Sequence, residues 1–191
     1  MTVWHWVRHG PTHEKAFVGW RDVPADLSDR AQIARLDAHL PKGALLVSSD
    51  LIRAVATADM LEQDRRRLPH VAAIREFDFG EWDGRRFDEI IATHPKLSRR
   101  YWEAPGDVAP PGGESWNDVV ARVAEFVDVI NARHPAAHIV AVAHSGVILT
   151  QIQRAAGCSA YAALAHEIDN LSVTRLIHDG GWRVGVINHS P

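Results

Sequence analysis

Short apolar runs recur along the chain, each closing on a polar cluster, with longer stretches of helical periodicity between them. Val3-Trp4-His5-Trp6-Val7 runs into Arg8-His9-Gly10, and Leu45-Leu46-Val47 into Ser48-Ser49-Asp50 and Arg53. Val71 to Ile74 runs into Arg75-Glu76, and Ile139 to Ala143 into His144-Ser145-Gly146. We read all four as strands. Ile33, Leu36 and Leu40 share a helical face after Leu27-Ser28-Asp29, where a serine or an aspartate can cap. A second amphipathic stretch runs from Leu51 to about Arg66, ends before Pro69, and places Arg53 in its first turn. A third runs from Glu114 to about His134, with Val119, Val123, Phe126, Val127 and Ile130 on one face. Residues 103–113 are the one long Pro/Gly-rich stretch and read as a loop, while Val173 to His178, Asp179-Gly180-Gly181 and Trp182 to Asn188 read as a hairpin.

Strands alternating with helices predict an α/β layer structure. In open α/β sheets ligands bind beyond the carboxyl ends of strands. The polar clusters therefore bring Arg8, Arg53, His9, His144 and Glu76 toward one sheet edge.

At 191 residues the chain suits one domain, 1–191, with 46% hydrophobic and 24% charged residues. No segment reaches the roughly 20 consecutive apolar residues of a membrane span, and Arg8 interrupts the first apolar run too early for a secretory leader. A net charge of −3 and a pI near 6.4 lack the basic excess of a nucleic-acid binder. Cys158 is the single cysteine, which fits a reducing cytoplasm. Neither the oligomeric state nor a protein partner is legible in these features.

Local affinity for phosphate is a different matter. A phosphoryl group spreads charge over several oxygens, and the planar fork of arginine bonds two of them at once, which singles out Arg8 and Arg53. Backbone N–H groups opening a helix at Ser145 and Gly146 would add donors. An attacking imidazole must be neutral at the reacting nitrogen, so its other nitrogen needs a fixed partner, and a carbonyl near Gly10 can serve His9. Histidine pairs spaced for a metal are broken: Gly10-Pro11 separates His9 from His13, and Pro135 separates His134 from His138. No metal or other cofactor is expected.

Five ordered blocks carry a family resemblance over nearly the whole length. They are Val7-Arg8-His9-Gly10-Pro11-Thr12, Ser48 to Ala58 around Arg53, Arg75 to Gly84 around Glu76, Pro111-Gly112-Gly113-Glu114-Ser115, and Ala143 to Ile148 around His144. Together they resemble the histidine phosphatase superfamily. The resemblance implies a three-layer α/β/α sandwich with a mostly parallel central sheet, phosphoglycerate-mutase-like, with a lid-like segment at about 85–113. It implies a phosphatase acting on small phosphate monoesters, with His9 as nucleophile, Glu76 as proton donor, and Arg8, Arg53 and His144 on the phosphoryl oxygens. Ser145, Gly146 and Thr12 join the substrate-binding set, and Asn170 and Ser115 support it.

The chain departs from the family pattern at Pro11, Lys15, Asp50 and Ala56. Phe17-Val18-Gly19-Trp20 resembles a mutase segment, so a phosphotransferase of the phosphoglycerate mutase type stays open, as does a domain that binds phosphate without turnover. Arg85 to Trp102 holds Arg85, Arg86, Lys96, Arg99, Arg100, Tyr101 and Trp102, and as a lid it would accept either a second anionic group or a ring.

Overall fold

A computed structural model describes residues 1–191. Six strands form one sheet: β1 (Thr2–Arg8), β2 (Leu45–Ser48), β3 (Arg66–Arg67), β4 (His138–Ala143), β5 (Val173–His178) and β6 (Trp182–His189). Their order is β3-β2-β4-β1-β5-β6, parallel from β3 to β1 and antiparallel at β5 and β6. The helices are α1 (Arg30–His39), α2 (Ile52–Met60), α3 (Phe87–Thr93), α4 (Pro95–Glu103), α5 (Trp116–Arg133), α6 (Ser145–Ala156) and α7 (Ala160–Leu164). No helix is long and apolar enough to cross a membrane.

Side chains alternate across a strand, and β1 uses both faces. Trp4 and Trp6 stack at 5.1 Å on one face and pack with Val119, Val123 and Val127 of α5 and Ile148 and Ile152 of α6. Val7 points to the other face with Leu46, Val140 and Val142, under Ile33 and Leu36 of α1 and Ala54 and Ala58 of α2. Each fully buried valine, leucine or isoleucine among them contributes about 1.5–3 kcal/mol of transfer free energy. The sheet is thus the middle layer of an α/β/α sandwich, and β1 and β4, its two neighbouring central strands, are buried on both faces.

Caps set the helix starts. Asp29 accepts from Gln32 N at 2.9 Å to open α1, which selects the aspartate of the two candidate caps. Ser115 accepts from Asp118 N and its own N–H and hydroxyl reach the Asp118 carboxylate, a reciprocal box that opens α5.

Two expectations need correction. Val71 to Ile74 is no strand: Ala72–Ile74 is a single 3₁₀ turn, and the strand paired to β2 is the short Arg66–Arg67. Pro69 lacks an N–H for a ladder and two alanines give the run little β-propensity, so the chain leaves the sheet after Val71 N bonds Ser48 O at 2.9 Å. The second helix also ends early, at Met60 rather than near Arg66, and Gln63 beyond it adopts a positive φ of 29° that no α-helix continues through.

Candidate active site

The register of β1 on β4 opposes Arg8 to Ala143, so the next residue of each strand, His9 and His144, emerges at the same edge. Their rings lie 5.0 Å apart at 60°. The His9 N–H donates to Ala143 O at 3.1 Å, and Asn170 Nδ2 donates to His9 O at 2.8 Å. Leu171 N donates to Arg8 O, from a residue held at a φ of 61°, so the turn before β5 clasps the Arg8-His9 backbone.

The His9 side chain is buried, and its Nδ1 lies 2.7 Å from Gly10 O. A carbonyl only accepts, so Nδ1 carries the proton and Nε2 the lone pair. Arg53 Nε donates to that Nε2 at 3.3 Å. Burial, with the Arg53 and Arg8 guanidinium charges, pushes the His9 pKa down to about 3 against the favourable bond to Gly10 O. His9 is therefore a neutral imidazole with its unprotonated Nε2 facing the Arg53 guanidinium.

Arg53 sits in the first turn of α2, 1% exposed, and is held by Gly19 O at 2.7 Å and Arg21 O at 2.9 Å. Thr57, one turn later, accepts from Gly10 N at 3.0 Å and donates to Arg53 O at 2.7 Å, tying the two sides of the pair together. Arg8 reaches back to Ile168 O, and its Nε is buried without a partner in the chain. Both ring nitrogens of His144 are buried without a partner as well. Orphaned buried donors and acceptors are costly in a folded chain, and a cluster of them beside two guanidinium groups is shaped for an oxygen-rich anion. Burial, then the neighbouring His9 and arginines, lowers the His144 pKa well below the usual imidazole value.

Glu76 follows the 3₁₀ turn and is buried, its carboxylate accepting from Phe77 N at 3.0 Å and Gly146 N at 3.2 Å. Burial pushes its pKa up, against those two N–H groups and the Arg53 and Arg8 charges. Desolvation outweighs them and decides the sign. The Glu76 carbonyl is fixed from two sides, by Trp20 Nε1 at 2.8 Å and by Arg122 Nη2 at 2.9 Å.

Of the residues expected at the site, Arg8, His9, Arg53, Glu76, His144 and Asn170 come together. Ser145 and Gly146 open α6 beside them, but the Gly146 N–H is engaged by Glu76 rather than free for a ligand. Thr12 lies on the loop after β1 and receives only a long 3.5 Å contact from Glu14 N. Ser115 makes its side-chain bonds to Asp118 alone, so its connection to the site runs through α5. Thr57, Trp20 and Arg122 are not singled out for the site by the sequence, Trp20 entering only as part of the mutase-like Phe17-Val18-Gly19-Trp20. Thr57 stands within the second family block, whereas Arg122 looks like any polar position of an amphipathic helix and shows its role only by bonding Ala73 O, Glu76 O and the Glu114 carboxylate.

The sandwich and its central edge define a phosphoglycerate-mutase-like α/β protein. Residues 5–190 match the model of the histidine phosphatase superfamily (branch 1), and the chain belongs to that superfamily. It is similar to Bacillus stearothermophilus YhfR, 28% identical, with a TM-score of 0.90 and 100% and 98% of the two chains covered. It is also similar to mycobacterial glucosyl-3-phosphoglycerate phosphatase Rv2419c, 28% identical, with a TM-score of 0.87 over 98% of this chain and 99% of that one. A 2,3-bisphosphoglycerate-dependent phosphoglycerate mutase of Methylobacterium sp. is 36% identical over 132 residues, 62% of each chain. Mycobacterial curated relatives 30% identical over 178 residues are longer proteins, and the chain spans 46% of their length.

Proposed function

We propose that the protein is a phosphatase that hydrolyses small phosphate monoesters through a phosphohistidine at His9. The observation that carries this reading is the His9 tautomer: Nδ1 is committed to Gly10 O at 2.7 Å, leaving Nε2 unprotonated next to Arg53. A pocket that only captures phosphate needs no such nucleophile.

His9 Nε2 attacks phosphorus in line while the ester P–O bond breaks, and its electron pair leaves on the alcohol oxygen. Glu76, whose protonated form burial favours, gives that oxygen its proton. Arg8, Arg53 and His144 stabilise the equatorial oxygens of a loose transition state, in which charge complementarity and positioning do most of the catalysis. Water then attacks the phosphohistidine, returns a proton to Glu76 and releases phosphate with His9 neutral again. Similarity to glucosyl-3-phosphoglycerate phosphatase over the full chain supports transfer to water.

Transfer to a second alcohol is the alternative, favoured by the mutase-like Phe17-Val18-Gly19-Trp20 and by the mutase relative. Radiolabelled phosphoramidate tests the common step. It should leave an acid-labile, base-stable label on His9, and His9→Ala should abolish both label and turnover. Label or phosphate release surviving in His9→Ala would overturn the reading. Conversion of 3-phosphoglycerate to its isomer without phosphate release would favour the mutase.

A further inference from the structure

Beside Glu76 lies a cavity of about 170 Å³ walled by Phe77, Phe79, Tyr101, Trp102, Trp116 and Leu149. For scale, an engineered apolar cavity of roughly 150 Å³ takes a benzene ring. None of the eleven residues lining the cavity is arginine or lysine, and its one carboxyl group is Glu76 itself. A carboxylate or a second phosphate placed there would be desolvated opposite an acid, without a cation to pair with.

The basic side chains of the 85–102 segment do not supply one. None of Arg85, Arg86, Lys96, Arg99 and Arg100 lines the cavity, and Arg99 pairs with Glu103 and Arg86 with Asp88 on exposed surface. What α4 delivers to the cavity is Tyr101 and Trp102. Trp102 stacks on Phe17 at 5.9 Å and 20°, and meets Tyr101 edge-on at 4.8 Å. Tyr101 in turn meets Trp82 edge-on at 5.3 Å, so the wall is braced from behind by aromatic contacts. Of the two roles open to this segment, binding an anion or binding a ring, the geometry favours the ring.

We infer that this cavity is the leaving-group site, built for an apolar ring or short alkyl chain and closed to a second anionic group, with Trp102 and Leu149 setting the preference. The inference rests on the phosphatase reading, since the cavity opens on Glu76, the proposed donor to the departing oxygen. A substrate of this class is the phosphate ester of a hydrophobic primary alcohol. The step that consumes its product must act on a hydrophobic alcohol rather than on a sugar acid or polyol.

The test compares esters of primary alcohols whose acidity is similar, so that chemistry does not mask binding: benzyl phosphate, hexyl phosphate and glycerol 3-phosphate, with 3-phosphoglycerate as the ester that carries a second anionic group. Burying a ring or six-carbon chain predicts kcat/KM about 10- to 100-fold higher for the two apolar esters than for glycerol 3-phosphate, and lowest for 3-phosphoglycerate. Trp102→Ala should shrink the benzyl-to-glycerol ratio by about tenfold, and Leu149→Arg should shrink it further while raising the relative rate on 3-phosphoglycerate. A wild-type preference for 3-phosphoglycerate or glycerol 3-phosphate would overturn the inference, as would a ratio unmoved in Trp102→Ala. Phosphoramidate labelling of His9 does not use the cavity, so its success alongside a polar preference sinks only this inference, and its failure sinks the phosphatase reading itself.

Discussion

Gly146 donates its backbone N–H to Oε2 of Glu76 at 3.2 Å, and a Cβ at position 146 would lie 2.5 Å from Oε1 of the same carboxylate. It would also stand 2.5 Å from Cδ2 of Phe77, the next residue along. Side chains do not approach that closely, so Glu76 or the start of α6 must move. Gly146 thus serves Glu76, the proposed acid, and the close approach it allows is to that carboxyl group. Gly146→Ala should cut kcat/KM on alkyl phosphates by about 10²-fold, the scale of a displaced general acid. His9 labelling by phosphoramidate, which needs no proton for an alcohol, should fall far less. Equal losses in both assays would overturn this role.

Glu76→Gln isolates the proton. Its removal should slow hexyl phosphate by about 10²–10⁴-fold, while p-nitrophenyl phosphate, whose leaving group departs without protonation, should lose little. The pH profile follows from the same group. Burial raises the Glu76 pKa, and the donor must be protonated, so kcat/KM on alkyl esters should hold through the range where exposed glutamates have already ionised and fall as pH rises through the raised value. The acid side stays open, because His9 remains neutral down to about pH 3. A profile that instead rises from pH 5 to 8 on alkyl esters would contradict Glu76 as the donor.

The site is more legible in the sequence than its supports are. Arg8, His9 and His144 end strands whose apolar runs leave little choice of period, and the parallel register then brings them together. Arg53 follows from the first turn of a helix with clear spacing. Glu76 was expected on a strand end and sits instead after a 3₁₀ turn, because a four-residue apolar run with two alanines does not declare its period. It reaches the edge anyway, pinned by Trp20 and Arg122, which are 56 and 46 residues away. Such contacts leave no local signature. The cavity wall is half legible, since Tyr101 and Trp102 stand in the sequence among basic residues that leave an anion and a ring both open, and only the fold shows which of these side chains line the cavity.

Thr57 is a support the sequence did not flag, and it has a measurable consequence. At 1% exposure its hydroxyl accepts from Gly10 N and donates to Arg53 O, so Thr57→Val leaves a buried N–H unpaired next to the carbonyl that fixes the His9 tautomer. We expect a loss of about 1–3 kcal/mol in stability by denaturant titration. A fall in kcat/KM should accompany it, and Thr57→Ser should restore both. Wild-type stability and activity in Thr57→Val would show the hydroxyl to be dispensable.

Away from the site, acid should unfold this protein through histidines that are buried uncharged. His5 on β1 is 8% exposed, faces His138 Nδ1 at 3.2 Å, and its pKa is lowered to about 4 by burial first and then by His138, Arg175, His39 and Arg65. Between pH 6.5, the value of an unhindered histidine, and about 4, the unfolded chain binds a proton at this position that the folded chain refuses. Stability therefore falls as pH drops through that window, by about 1.4 kcal/mol per pH unit for one such proton, and is fully present above it. His9 adds a similar slope, with its folded value at about 3, while Glu76, shifted upward, acts in the opposite sense. His5→Val places a β-branched apolar side chain on a central strand and deletes one titration. Urea unfolding at a series of pH values from 7.5 to 4 should show a slope shallower in the variant by about one proton, and superimposable slopes would mean that His5 accepts its proton in the native state.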